Sequence, residues 1–231
     1  MNDTLYQAAA LIIPMIFAIV FHEIAHGWTA RALGDPTAAE LKRLSLNPLR
    51  HVDPVGTILI PGALKLMGMP VFGWAKPVPV NARRLRNPRR DMMFVGAAGP
   101  AMNLVMALIG AVLLGLLLRP YGDLQEPTGM VGFVAANLLN FLLINVFLAL
   151  FNLIPLPPFD GSHIVEGLLP DGAARTYSQL RPLGFPMIMI LLVVLPSLSP
   201  NFDLVGRYVF PLVQWLTEHY LAIASAVAGG K

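Results

Sequence analysis

The chain contains no cysteine, so disulfides and thiolate metal sites are excluded. It is also short of charge. Asp, Glu, Lys and Arg make up 13% of its 231 residues, where a soluble domain carries about 25%. A surface so poor in charge is expected to face lipid. No long polar segment exists to build a second, aqueous domain, and no internal repeat or low-complexity tract interrupts the sequence. Residues 1–231 are therefore expected to form a single integral membrane domain, with a core at 5–165 and C-terminal helices at 183–227. The opening MNDTLYQ lacks the positive n-region of a signal peptide, so the first apolar stretch is expected to be retained as a helix. Acidic residues are missing from one long loop, KPVPVNARRLRNPRR, until Asp91 closes it.

Apolar residues are abundant, at 56% of the chain with a mean hydropathy of +0.66. A membrane-crossing helix needs roughly 20 of them in succession. Residues 5–33, 91–118 and 130–154 qualify; 183–195 is short, and 204–227 is the weakest. The fold class expected is an all-α polytopic membrane protein with about five transmembrane helices. Residues 54–72 are apolar but broken by glycine and proline. They read as a re-entrant or interfacial segment, whose irregular backbone protein must cover. Basic residues mark the cytoplasmic side. Lys76, Arg83, Arg84, Arg86, Arg89 and Arg90 sit in one loop, and Arg31, Lys42, Arg43 and Arg50 follow the first span. The opposite loop sets Arg119 against Asp123 and Glu126. The chain is thus expected to be a multi-pass protein of the cytoplasmic membrane with its N-terminus outside. The arginines come without aromatic interleaving, so they speak for lipid headgroups and topology and against nucleic acid.

Within the first span lies FHEIAHGWTA, residues 21–30. His22 and His26 are four residues apart, which places both on one helical face about one turn apart. Two neutral imidazoles so placed can reach one Zn²⁺. Glu23 is turned about 100° from His22 and flanks the metal, where it can take a proton from water. That is the mechanical sense of H-E-x-x-H. The competing reading is polar packing between helices. Ionisable groups are expensive at this depth and functional by default, which favours the metal. A catalytic zinc needs a third protein ligand. His51, His163 and His219 remain as histidines, and Asp160 stands out in NLIPLPPFDGSHI, residues 152–164. There a span ends in a proline-rich stretch, and Asp160-Gly161 can turn the chain back into the bundle. The same pair is also an ordinary turn.

HEIAH in the first span, AGPAMN at 98–103 in the second and NLIPLPPFDG in the third together resemble the site-2 protease family of intramembrane zinc metalloproteases. SLNPLRHVDPVGT, FGWAKPVPVN and LRNPRRD are similar to the compact prokaryotic branch, and no PDZ or CBS domain is evident. The resemblance covers residues 15–165. It implies one Zn²⁺ held by His22, His26 and Asp160, with Glu23 as the catalytic glutamate and Asn152 in contact with substrate or transition state. It implies substrates that are single-span membrane proteins, such as membrane-tethered regulators.

His22 lies nine residues before Arg31, so the site is expected about 14 Å deep from the cytoplasmic side, reached by a polar channel. Residues 56–72 could offer an edge to an extended substrate strand. Other polar residues in the spans read more plainly. Asn137, Asn140 and Asn145 suit helix–helix hydrogen bonds, and Asn103, after small residues, suits close packing. His51 with Asp53 reads as a gate, a second ion site or a capped loop. His163 reads as a group behind Asp160, and His219 as interfacial. The alternative function is a transporter or channel moving protons or metal ions through the same His/Asp cluster. A non-catalytic scaffold built on zinc is a third.

Overall fold

The structure, a computed structural model, describes residues 3–51, 53–59, 63, 76–121 and 127–230. Three long helices form the frame: α1 (Asp3–Ala32), α2 (Pro88–Leu118) and α3 (Gly129–Asn152). At 1.5 Å per residue the 30 residues of α1 extend about 45 Å, beyond the ~30 Å of a hydrocarbon core. Two short helices follow, α4 (Asp160–Leu168) and α5 (Asp171–Ser178). Next comes α6 (Gly184–Met189), which continues through a π-helical turn, Ile190–Val194, into Leu195–Leu198. The last helix is α7 (Phe210–Ala228). No strand occurs among the described residues.

Sequence sets these ends. Pro88 occupies the first turn of α2, where its missing N–H is no loss, and the Asp91 carboxylate accepts a 2.8 Å bond from the Asn87 amide. Pro155, Pro157 and Pro158 stop the helical path after α3, and the Pro157–Pro158 bond is cis. Gly229, at φ 90°, closes α7 in the left-handed region that glycine tolerates.

Among the described residues, four helices are long and apolar enough to cross a membrane: Leu5–Ala32, Pro88–Leu118, Gly129–Asn152 and Asp171–Leu198. The fifth expected span falls on α7, which has 19 residues but carries Gln214, Glu218 and His219 and is not one of those four. The lipid-facing belt is visible as exposed large side chains, Leu11, Ile12 and Phe17 on α1 and Val105, Leu108 and Leu113 on α2. Inside, α2 is the central post, packed against α1, α3, α4 and α7. Ala107, Ala111 and Leu114 of α2, Leu142 and Val146 of α3, and Ala224 of α7 form the buried core. Small residues bring the helices together: a Cβ on Gly115 would stand 2.3 Å from the Ala224 carbonyl oxygen. The expected re-entrant segment is described only at Pro54–Leu59, a π-helical turn, and at Ala63. The rest of residues 54–72 lies outside the described residues.

Candidate metal centre

The centre is built where α1, α2 and α4 meet. The helical period of α1 stacks His22 and His26, and their Nε2 atoms lie 3.0 Å apart. Asp160, the first residue of α4, brings Oδ2 to 3.1 Å from His22 Nε2 and 3.3 Å from His26 Nε2. Asp160 arrives there because the chain folds back after α3. Gly161 makes the fold possible, since a Cβ there would sit 2.3 Å from the Leu153 carbonyl oxygen. On the facing side, Gly96 and Gly99 open α2. A Cβ on Gly99 would lie 2.5 Å from both His22 Cε1 and His26 Nε2, and one on Gly96 would lie 3.0 Å from the Asp160 carbonyl oxygen.

The outer ring nitrogens are fixed by hydrogen bonds. His26 Nδ1 donates to the Val95 carbonyl at 2.7 Å. His22 Nδ1 donates to Asn103 Oδ1 at 2.6 Å. The orientation of the Asn103 amide follows from its other partners, because its Nδ2 faces two acceptors, Ala18 O at 3.2 Å and Asn145 Oδ1 at 2.8 Å. With a proton on each Nδ1, both Nε2 atoms present lone pairs. The Asp160 Oδ2 that meets them is buried and has no hydrogen-bond donor of its own. Three lone-pair atoms thus converge with no proton between them, which is unfavourable unless a cation sits among them. Their spacing of 3.0–3.3 Å matches the roughly 3.3 Å edge of a tetrahedron whose metal–nitrogen bonds are about 2.0–2.1 Å. The three residues are the one group among the described residues whose ligand atoms could hold an ion.

Glu23 is not one of the three converging groups. Its Oε2 accepts a 2.6 Å hydrogen bond from the Val78 amide. Asn152 is not brought to the centre by any described contact; its Nδ2 donates to Leu148 O at 2.9 Å along its own helix. His51 is buried and donates from Nε2 to Ser45 O at 2.8 Å, which makes it an anchor of the loop after α1. His163 lies three residues beyond Asp160 on α4, with its Cβ close to Gly96. His219, exposed on α7, donates to Trp215 O at 2.7 Å.

Asn103 is the residue that sequence reading placed in packing and that the structure places behind His22, completely buried. The available signal was spacing. Gly96, Gly99 and Asn103 fall on one face of α2, so the small residues clear the space that the asparagine reaches across.

The chain matches the description "Peptidase family M50" over residues 10–195. YwhC of Bacillus subtilis (strain 168), named as a candidate zinc metalloprotease, is 41% identical over 221 residues, covering 94% of this chain and 91% of its own. Rip2 of Mycolicibacterium smegmatis, named in the same way, is 29% identical over 94% of this chain and 76% of its own. MJ0611 of Methanocaldococcus jannaschii, again so named, is 36% identical over 64% of each chain. No solved structure matches.

Proposed function

The chain belongs to peptidase family M50, and on that premise we propose that it is a zinc metalloprotease of the site-2 type, cleaving single-span membrane proteins within the bilayer. The observation that carries the reading is the convergence of His22 Nε2, His26 Nε2 and Asp160 Oδ2 at 3.0–3.3 Å beside four helices, among the described residues, fit to cross a membrane. These three side chains would hold one Zn²⁺. Bound there, the ion polarises a carbonyl oxygen and makes a water nucleophilic near neutral pH.

The protein's own groups do the rest. Glu23, next to His22 in the chain, takes the proton from the attacking water at its carboxylate and returns it to the leaving amine. Asn103 and the Val95 carbonyl keep each imidazole in the tautomer that binds metal. The buried walls formed by α1 and α2 exclude bulk water, and the partial exposure of the Asp160 side chain, 18%, leaves a path for the water that is consumed. An apolar crevice of about 420 Å³ lies between α1, α2 and α3, lined by Pro14, Phe17, Phe21, Met106 and Phe141. Phe21, the residue preceding His22, is part of its wall. The basic residues near the C-terminal end of α1 and before α2 support a cytoplasmic face at that end, which would set the site about 14 Å deep with the N-terminus outside. The polar groups gather at one centre rather than along a path across the bundle, so the geometry lends nothing to transport.

The test is cleavage of a single-span substrate by purified protein in liposomes. Chelation should stop cleavage and added Zn²⁺ should restore it. Glu23→Gln should bind zinc and cleave nothing. Ion flux through the wild type without proteolysis would overturn the reading, and turnover by Glu23→Gln would remove Glu23 as the base.

A further inference from the structure

The loop before α2 passes directly beside Glu23. Residues 76–80, KPVPV, form neither helix nor strand, and hydrogen bonds tie the stretch down. The Lys76 amide donates to His51 O at 2.8 Å. The Arg43 guanidinium donates to Lys76 O at 2.9 Å. The Val78 amide donates to Glu23 Oε2 at 2.6 Å, and the Asn81 amide donates to Asp35 Oδ2 at 2.6 Å. Val78 is buried at 6% exposure. Its side chain rests on α1 one turn beyond Glu23, where a Cβ added to Gly27 would meet Val78 Cγ1 at 2.8 Å. Pro77 and Pro79 have no N–H, so Val78 supplies the one backbone donor between Lys76 and Val80. The prolines also fix φ on both sides and hold Val78 extended, because a residue before proline avoids the helical region.

The geometry points to the Val78 backbone amide as the positioning group for Glu23. It holds Oε2 in a charge-assisted bond, which is shorter and stronger than a neutral one, and leaves Oε1 to carry the proton. Oε1 has no hydrogen-bond partner among the described residues. A glutamate on an exposed stretch of helix would sample several rotamers; here one oxygen is pinned by a segment itself secured at both ends. This inference rests on the reading of Glu23 as the base. Because the donor belongs to the backbone, the side chain at residue 78 matters less than its N–H.

Two variants separate the amide from the side chain. Val78→Ala keeps the N–H, and Val78→Pro removes it. In zinc-loaded protein, kcat of Val78→Pro should fall at least tenfold below that of Val78→Ala, with KM for the substrate within twofold and one zinc per chain in both. Equal kcat values would overturn the positioning role. A second measurement needs no change at residue 78. Hydrogen exchange at the Val78 amide should be at least tenfold faster in Glu23→Ala than in the wild type, and equal rates would overturn the proposal. If Val78→Pro does not fold, the exchange result decides alone. Failure of the base reading is distinct: it would appear as turnover by Glu23→Gln, whereas an inactive Glu23→Gln beside a fully active Val78→Pro removes the positioning role only.

Discussion

Replacing Asn103 with leucine, close to it in size, leaves α2 filled and removes one acceptor and one donor. The acceptor is the more consequential. His22 Nδ1, now bonded to Asn103 Oδ1 at 2.6 Å, would be left with a buried, unanswered N–H, at a cost of about 1–3 kcal/mol. The imidazole can relieve that cost by moving the proton to Nε2 or by rotating, and either spoils it as a ligand. Loss of an outer partner of a metal-bound histidine typically weakens metal affinity 10–100-fold, which corresponds to about 1.4–2.8 kcal/mol. The same variant strips the Nδ2 donor from Ala18 O and Asn145 Oδ1, so some thermal stability goes with it. The assay is zinc competition against a chromophoric chelator in detergent, on protein shown to be folded by size-exclusion and circular dichroism. We expect the zinc Kd of Asn103→Leu to rise at least tenfold. A Kd within twofold of the wild type, in a folded sample, would refute the argument that the amide sets the tautomer of His22.

Gly99→Ala places a Cβ 2.5 Å from both imidazoles and should weaken zinc binding at least tenfold; unchanged affinity in the same titration would contradict the packing described. Asp160→Asn should lower zinc per chain in elemental analysis, and unchanged stoichiometry would exclude Asp160 as a ligand. Asp35 concerns stability. Burial pushes its carboxyl up, but the Thr37 hydroxyl, the Asn81 and Thr37 amides and the Arg84 charge together hold it below its usual value. A lowered folded pKa gives stability that is present above the unfolded value, near ~3.9, and is lost as pH falls through the folded one. Asp35→Asn should therefore lower the thermal midpoint at pH 7, by roughly 1.5–3 kcal/mol in stability, and flatten its decline below about pH 4. A midpoint that matches the wild type at pH 7 would show that Asp35 does not secure the loop.

How much of this was legible depends on where each partner sits. His22 and His26 were readable because four residues is nearly one helical turn, and their cost in lipid removed the ordinary explanation. Asp160 was readable as a candidate from the proline run and the glycine after it, although its approach to the imidazoles required a fold-back that local sequence leaves open. Asn103 looked like packing because an asparagine after small residues does pack; that it also faces His22 depends on the rotation of α2 against α1. Asn145 did prove to bond between helices. Val95 and Val78 act through backbone atoms, which no side-chain pattern reports. Residues 76–81 were read for their charge neighbours and as part of a family resemblance, while the contact of Val78 with Glu23 spans 55 positions. The first three spans were placed to within a few residues because lipid demands length; the fourth was read as 183–195 where the candidate span is Asp171–Leu198, and α7, which carries Glu218 and His219, is a helix whose surroundings hydropathy does not decide.

The final helix sits outside the stretch matched to the peptidase family, which closes at residue 195, yet it is mortared into the middle of the bundle. Ala224 fills the notch at Gly115, and the Tyr220 hydroxyl donates to Leu104 O at 3.0 Å, one residue from the asparagine that steadies His22. Cutting the chain before Phe210 would remove Ala224 from the buried cluster that it shares with Ala107, Ala111 and Leu114 of the central post. The last helix is therefore part of the scaffold behind the His22–His26–Asp160 cluster.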